Sequence, residues 1–204
     1  MAATPGLRSF RDRPFELLRA LDALARSAVQ GQSETAPAGA EWVGIAFRLG
    51  GEGFLLAREE TREVMAYPTV VTRVPGAKMW IRGLSNVRGQ LLPIVDLRAF
   101  LGSGTTNVTR ATRVLIANHR EIPAGLVVDE VMGFRRFAES EFATELPPTL
   151  IRCERYLAGA FKRGAEVWPV FSVKTLLESQ QFLQAAASGL GGRVGGRGAK
   201  NGNE

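Results

Sequence analysis

Residues 80–102 read WIRGLSNVRGQLLPIVDLRAFLG. Two Arg-Gly pairs, an apolar run interrupted by proline and a lone aspartate are crowded into this stretch. Leu91, Leu92, Ile94, Val95 and Leu97 form a β-prone run. Pro93 inside it cannot donate to a ladder, so the strand is expected at a sheet edge or a bulge. Gly83 and Gly89 supply backbone conformations closed to other residues, or room for another chain to approach. Asp96 is expected to cap a helical turn over 97–101, with Gly102 as its C-terminal stop. Arg88 falls in a turn between the two halves.

Outward from this segment the chain reads as short strands. From Trp42 the apolar period is two, with Val43, Ile45, Phe47 and Leu49 on one face and a turn at 50–53 before a second strand over 54–57, which signals a β-hairpin. Further strands are expected at 61–65, around 70–74, and at 113–118, 125–131, 134–137, 156–161 and 167–171. Residues 103–110 form a Gly/Thr/Asn-rich loop, and a helix is expected over about 173–187. Many short strands at close spacing favour small barrels over a parallel sheet. The expected fold is mainly β, with two barrels whose boundary lies near 103–112.

The flanks differ from this body. After Pro14, suited to a first helical position, Leu17, Leu18, Leu21, Leu24, Ala25 and Ala28 recur at helical spacing opposite Glu16, Arg19, Asp22 and Arg26, the pattern of an amphipathic helix. Residues 30–39 read as a flexible linker, so 1–40 stands apart from 41–179. The Gly-rich basic end of 180–204 has too little apolar content to fold and is expected to be disordered beyond the last helix.

The chain has 204 residues, 45% of them hydrophobic, which suffices for one or two small domains with real cores. A net charge of +6 raises nucleic acid or an anionic membrane as partners. The distribution weakens both, since no block of five basic residues occurs and Glu59, Glu60, Glu63, Glu130, Glu139 and Glu141 are interspersed. Phe47, Phe54, Trp42 and Trp80 read as core or interface residues rather than a base-stacking platform. No apolar run is long enough to span a bilayer, and the first residues lack the apolar centre of a signal peptide, so a cytoplasmic location without membrane insertion is expected. The single cysteine, Cys153, allows no intrachain disulfide and fits a reducing compartment.

The inventory for catalysis is poor. His119, the single histidine, sits in a turn and is expected to be solvated. Cys153 lies in a loop with no feature that would activate a thiolate. No phosphate-binding glycine loop, nucleophile elbow or zinc-spaced Cys/His cluster is present. Adjacent carboxylates such as Glu59 and Glu60, or Asp129 and Glu130, point to opposite faces and make no dyad. No enzyme activity, catalytic residue, metal or cofactor is expected.

The central segment resembles the CheW-like coupling proteins of bacterial chemosensory arrays. Gly83, Asn86, Arg88 and Gly89 match the family's G-x-x-N-x-R-G, and Pro93, Ile94, Val95, Asp96 and Leu97 match its P-[IV]-[IV]-D-L. Val127, Val128, Asp129 and Val131, then Tyr156, Leu157 and Gly159, extend the resemblance over about 41–179. It implies two five-stranded SH3-like barrels around a shared core. It also implies a non-enzymatic adaptor that binds the regulatory domain of a CheA-type histidine kinase and the cytoplasmic tip of a methyl-accepting chemoreceptor. Arg88 is carried over as the anchor of that surface, with Gly83, Asn86 and Gly89 shaping its loop. Thr61, Glu63 and Val64 occupy the family's x-V-x-E-[IV] strand, implicated in receptor contact, although Thr61 departs from the usual valine. The leading helix resembles the version of the family associated with type IV pilus chemosensory systems and hence with twitching motility. The alternative class is a nucleic-acid-binding small barrel.

Overall fold

The structure is a computed structural model that describes residues 41–190, with side chains to 185. The helix expected over 14–28, the linker 30–39 and the Gly-rich tail lie outside the described residues. Among the described residues, eleven strands make two sheets. The strands are β1 (Glu41–Leu49), β2 (Glu52–Ala57), β3 (Thr61–Ala66), β4 (Ile81–Val87), β5 (Gln90–Asp96), β6 (Arg113–Ala117), β7 (Gly125–Val128), β8 (Glu130–Ala138), β9 (Phe142–Ala143), β10 (Leu157–Arg163) and β11 (Glu166–Phe171). The helices are α1 (Leu97–Phe100), α2 (Val173–Leu177) and α3 (Gln180–Leu190).

The six-stranded sheet runs β8-β1-β2-β11-β10-β9 and the five-stranded sheet β3-β6-β7-β5-β4. The mainly β reading with two small sheets therefore stands, with β9 as a short sixth strand. The expected boundary at 103–112 does not divide the sheets. β6 and β7 follow that loop yet join β3–β5, and β1 and β2 pair with strands from the end of the chain. Three apolar clusters explain the arrangement. Val87, Leu92, Ile94, Val114, Ile116 and Val127 fill the inside of the five-stranded sheet, and Ala46, Leu55, Phe137, Phe161 and Val170 that of the six-stranded one. The largest cluster, including Phe47, Phe54, Leu97, Leu126, Phe171 and Leu176, takes residues from both sheets and all three helices. Strands whose residues alternate between two apolar environments are buried on both faces, which is why β7 is buried throughout.

Pro93 is accommodated differently from the expectation. β5 is an internal strand, between β4 and β7. Leu84, opposite Pro93, exchanges both backbone hydrogen bonds with Thr72 at 2.8 Å, so its pair with Pro93 is of the non-hydrogen-bonded kind and the proline nitrogen faces away from β4. On that side the parallel pairing to β7 begins only at Ile94. The strand expected over 70–74 is reduced to this single bridge at Thr72. The helix expected over 173–187 is broken at Glu178–Ser179, where the Ser179 hydroxyl donates to the Leu176 carbonyl at 2.6 Å and its carbonyl accepts from Phe182 and Leu183.

Asp96 caps α1 as the sequence implies, accepting from the Ala99 N–H at 3.2 Å. It does more than cap. The fully buried carboxylate also accepts from Arg82 Nε at 3.0 Å, from the Thr106 N–H at 2.9 Å and from the Thr106 hydroxyl at 3.1 Å. Gly102 ends the turn with φ +71°. β10, β11 and α2 repeat this unit. Gly83 and Gly159, Pro93 and Pro169, Asp96 and Ser172 stand at one constant spacing, and both glycines have strongly positive φ beside a register shift. Ser172 cannot supply a carboxylate to the start of α2, and Glu60 supplies it instead. Glu60 accepts from the Ser172 hydroxyl at 3.0 Å and from the Val173 and Lys174 N–H groups.

Two outcomes follow for denaturant unfolding. Asp96→Ala leaves Arg82 Nε and the buried Thr106 N–H without an acceptor, with only the Thr106 carbonyl still accepting from the guanidinium, and removes the counter-charge of Arg82, which is expected to cost about 3–5 kcal/mol; a loss under about 1 kcal/mol would mean the carboxylate is replaceable by solvent. Gly83→Ala places a Cβ 2.3 Å from the Thr72 carbonyl oxygen, whereas at Gly89 a Cβ meets nothing within 4 Å. Both positions have positive φ. Gly83→Ala is therefore expected to destabilise by at least about 1 kcal/mol more than Gly89→Ala.

Candidate protein-docking site

The turn between β4 and β5 has two residues, because Val87 and Gln90 form the last pair of the ladder. Arg88 has φ +51° and Gly89 φ +82°. Positive φ at both central positions is the type I′ geometry, whose twist matches the flanking strands. Glycine meets that requirement freely and arginine does not; Arg88 is the only non-glycine residue with positive φ among the described residues. Asn86 holds the turn, its Oδ1 accepting from the Gly89 N–H at 2.9 Å. The N-V-R-G run is thus a complete turn signal.

Arg88 projects from this tip with its side chain 71% exposed and donates to Glu63 Oε1 at 2.6 Å. Arg62 beside it donates to Gln90 Oε1 at 3.2 Å. β3 is one outer strand of the five-stranded order and the β4–β5 hairpin is at its other end, so these side-chain contacts reach across the curl of the sheet, in keeping with the barrel-like form expected from the sequence. A register shift between Thr61 and Glu63 bulges β3 at this point.

Thr61, Glu63 and Val64 line one recess of about 290 Å³, together with Ile45, Asn118 and Phe134. Val64 packs against the principal core. The Thr61 Oγ1 is buried without a hydrogen-bond partner among the described residues. Phe134 comes from β8 in the other sheet and is 64% exposed. Of the residues singled out by sequence, Arg88, Gly89, Asn86 and Glu63 are joined by direct bonds, and Thr61 and Val64 share the recess with Glu63. Gly83 does not shape the Arg88 loop; it lets the Thr72 carbonyl cross β4. Phe134, Arg62 and Gln90 were not singled out. β8 bulges at Met132, beside Gly133 with φ +97°, and that glycine inside a strand was the available sequence signal near Phe134.

The groups considered for catalysis are structural. Glu60 caps α2, and Asp129 accepts from the Gly50 N–H at 2.6 Å to fix the β1–β2 turn. His119 is in a turn, but it is only partly solvated. Its side chain is 18% exposed, Nδ1 accepts from the Glu121 and Ile122 N–H groups at 3.3 and 3.1 Å, and Nε2 lies 3.5 Å from Glu178. Among the described residues no group of three or more His, Cys, Asp or Glu could hold a metal. Cys153 is fully buried, and burial pushes its thiol up to about 11. At pH 8 the native protein is therefore expected to react with a disulfide reagent only as fast as it opens, and at full rate in denaturant; rapid reaction of the folded protein would show an accessible thiolate.

Comparison with known proteins gives this arrangement its context. Residues 43–181 match the family model described as the CheW-like domain. The chain is 39% identical over 173 residues to protein PilI of Pseudomonas aeruginosa, covering 85% of this chain and 96% of that one. It is 32% identical over 97 residues to the chemotaxis protein CheW of Bacillus subtilis, covering 48% and 62% respectively. The crystal structure of the scaffolding protein TtCheW from Thermoanaerobacter tengcongensis superposes with a TM-score of 0.61 at 24% identity, over 70% of this chain and 96% of that one, and shows the same fold. The match over most of the chain, with the N-x-R-G turn and the β3 strand meeting as described, places this protein in the CheW-like family.

Proposed function

We propose that the chain is a non-enzymatic adaptor. It couples the cytoplasmic tip of a methyl-accepting chemoreceptor to the regulatory domain of a CheA-type histidine kinase, in a cytoplasmic array recruited to membrane-associated receptors. Its output is type IV pilus twitching motility. The observation that carries this reading is the meeting of two separate motifs at one exposed point, Arg88 on Glu63 at 2.6 Å, beside a recess that presents Phe134. The pilus assignment rests on the likeness to PilI over nearly its whole length.

The physical case concerns preorganisation. An exposed ion pair contributes little to stability, typically under about 1 kcal/mol, so it does not account for an arginine held at positive φ. A rigid two-residue turn does fix the guanidinium in place before binding and lowers the entropy lost when a partner docks. Arginine and aromatic side chains are the usual anchors of such contacts. Thr61, Glu63 and Val64 form the receptor-facing wall in this reading, with Gly89 and Asn86 maintaining the turn. Nucleic acid has no part in it.

The test is assembly of a ternary complex from the protein, a receptor fragment and the kinase, followed by size exclusion. Arg88→Ala is expected to change unfolding free energy by less than about 1 kcal/mol while weakening assembly by about 2 kcal/mol. Glu63→Lys should reduce receptor binding more than kinase binding. The reciprocal swap, Arg88→Glu with Glu63→Arg, restores the internal pair but inverts both charges toward a partner, and is expected to remain defective. Rescue by the swap would reduce Arg88 to a support for Glu63 and remove the basis of the proposal.

A further inference from the structure

The recess beside Arg88 takes Thr61, Glu63 and Val64 from one strand, β3. That strand is bulged between Thr61 and Glu63, so its ladder to β6 is interrupted where the wall begins. Downstream the wall is anchored by Val64, which packs on the principal core. Upstream the three-residue link Arg58–Glu60 leads straight into Thr61, whose N–H donates back to the Arg58 carbonyl. Arg58 and Glu59 line the recess, and Glu60 does not.

The Glu60 carboxylate is bonded instead to the start of α2, through the Ser172 hydroxyl and the Val173 and Lys174 N–H groups. The backbone carbonyl of the same residue accepts from the Asn118 N–H at 2.9 Å, and the Glu59 carbonyl accepts from Asn118 Nδ2 at 2.8 Å. Asn118 is itself a lining residue of the recess. Two lining residues, Thr61 and Asn118, are therefore attached directly to Glu60, one by the chain and one by a hydrogen bond.

Capping α2 does not by itself account for this residue. The Ser172 hydroxyl already accepts from the Thr175 N–H at 3.2 Å, the bond that Asp96 makes with Ala99 at the same distance in α1. In α1 the carboxylate is local. In α2 it comes from a residue 112 positions away, so the bond fixes two distant places at once. The place fixed at the far end is the entrance to β3.

We propose that Glu60 is a positioning residue for the docking surface, whose tether to α2 holds Thr61 and Asn118 in the geometry that a partner meets at the recess. This rests on the reading of β3 as the receptor-facing wall. Glu60 acts only through the residues attached to it.

The test separates tether from cap. Glu60→Ala removes both. Adding Ser172→Asp returns a carboxylate to the start of α2, as Asp96 supplies one to α1, without the link to β3. Glu60→Gln keeps the tether, because the amide oxygen still accepts from a backbone N–H of α2 and the amide nitrogen can donate to the Ser172 hydroxyl. Each full-length variant is titrated with the receptor-tip fragment and, separately, with the kinase regulatory domain. Hydrogen exchange at the Thr61 and Asn118 amides is followed without any partner.

Glu60→Ala is expected to lower the melting temperature by about 2–4 °C, and Ser172→Asp to recover it. In that double variant, binding to the receptor fragment should remain about tenfold weaker than in the wild type. Kinase binding should be unchanged, and both amides should exchange faster. Glu60→Gln should behave as the wild type. Receptor binding that returns together with the melting temperature would show Glu60 to be a cap alone and overturn the proposal. Equal losses toward both partners, unaltered exchange at Thr61 and Asn118, or a defect in Glu60→Gln as large as in Glu60→Ala would do the same. Failure of the wild type itself to bind the receptor fragment would sink the docking reading and this proposal with it, an outcome distinct from binding that the double variant retains.

Discussion

The structure turns on the carboxylate of Asp96. It is fully buried, and it collects donors from three places: the first turn of α1, the loop at Thr106 and the Arg82 guanidinium on β4. An unpaired buried charge would be prohibitive, and a fully bonded one fixes the geometry of everything that bonds to it. The direction in which the chain leaves β5, the path of the loop that follows and the register of β4 against β5 are all set at this one group. The second copy of the unit shows the same requirement met by other means. Ser172 starts α2 but carries no charge, and the carboxylate arrives from Glu60 in the link between β2 and β3. That substitution ties the link between the two sheets to the helix that follows β11.

Much of this was legible in the sequence, for definite reasons. Period-two patterning located β1 and β2, the Asp-then-Gly punctuation located α1, and the Arg-Gly pair placed Arg88 in a turn, where the structure adds that Asn86 supplies the acceptor. These are local rules, satisfied within a few residues. What escaped was non-local. Which strands share a sheet depends on pairings such as β2 with β11, far apart in the chain, and no periodicity records them. Pro93 suggested an edge, yet an internal strand can hold a proline where its neighbour's ladder has not begun. His119 looked exposed because its turn is polar, but Glu178 arrives from a distant helix to cover it.

The surface proposed for docking differs in its geometry from the sequence reading. Arg88 and Glu63 were each assigned to it as separate anchors, and they are bonded to each other. A partner docking there, as proposed, would meet a neutralised pair, and would have to break it or bind around it. The first option favours a partner that offers its own charges in complementary order; the second favours apolar contact along the recess under Phe134. Gly83, assigned to the same surface, instead serves the interior, where a backbone carbonyl approaches too closely for any side chain.

The interleaving of the sheets bears on how the chain folds as it is made. The five-stranded sheet draws on a continuous stretch from β3 to β7, so it can close as soon as that stretch has left the ribosome. The six-stranded sheet cannot. Its first hairpin, β1–β2, is synthesised at the start and must wait for β8, β10 and β11 before its edges are covered. During that interval a hairpin with Phe47, Phe54, Leu55 and Leu56 stands open, with strand edges able to pair with another nascent chain. Long-range closure of this kind is slow relative to local pairing. The hazard of misassembly is thus concentrated in the first strands of the domain, and it lasts until the second copy of the repeated unit emerges.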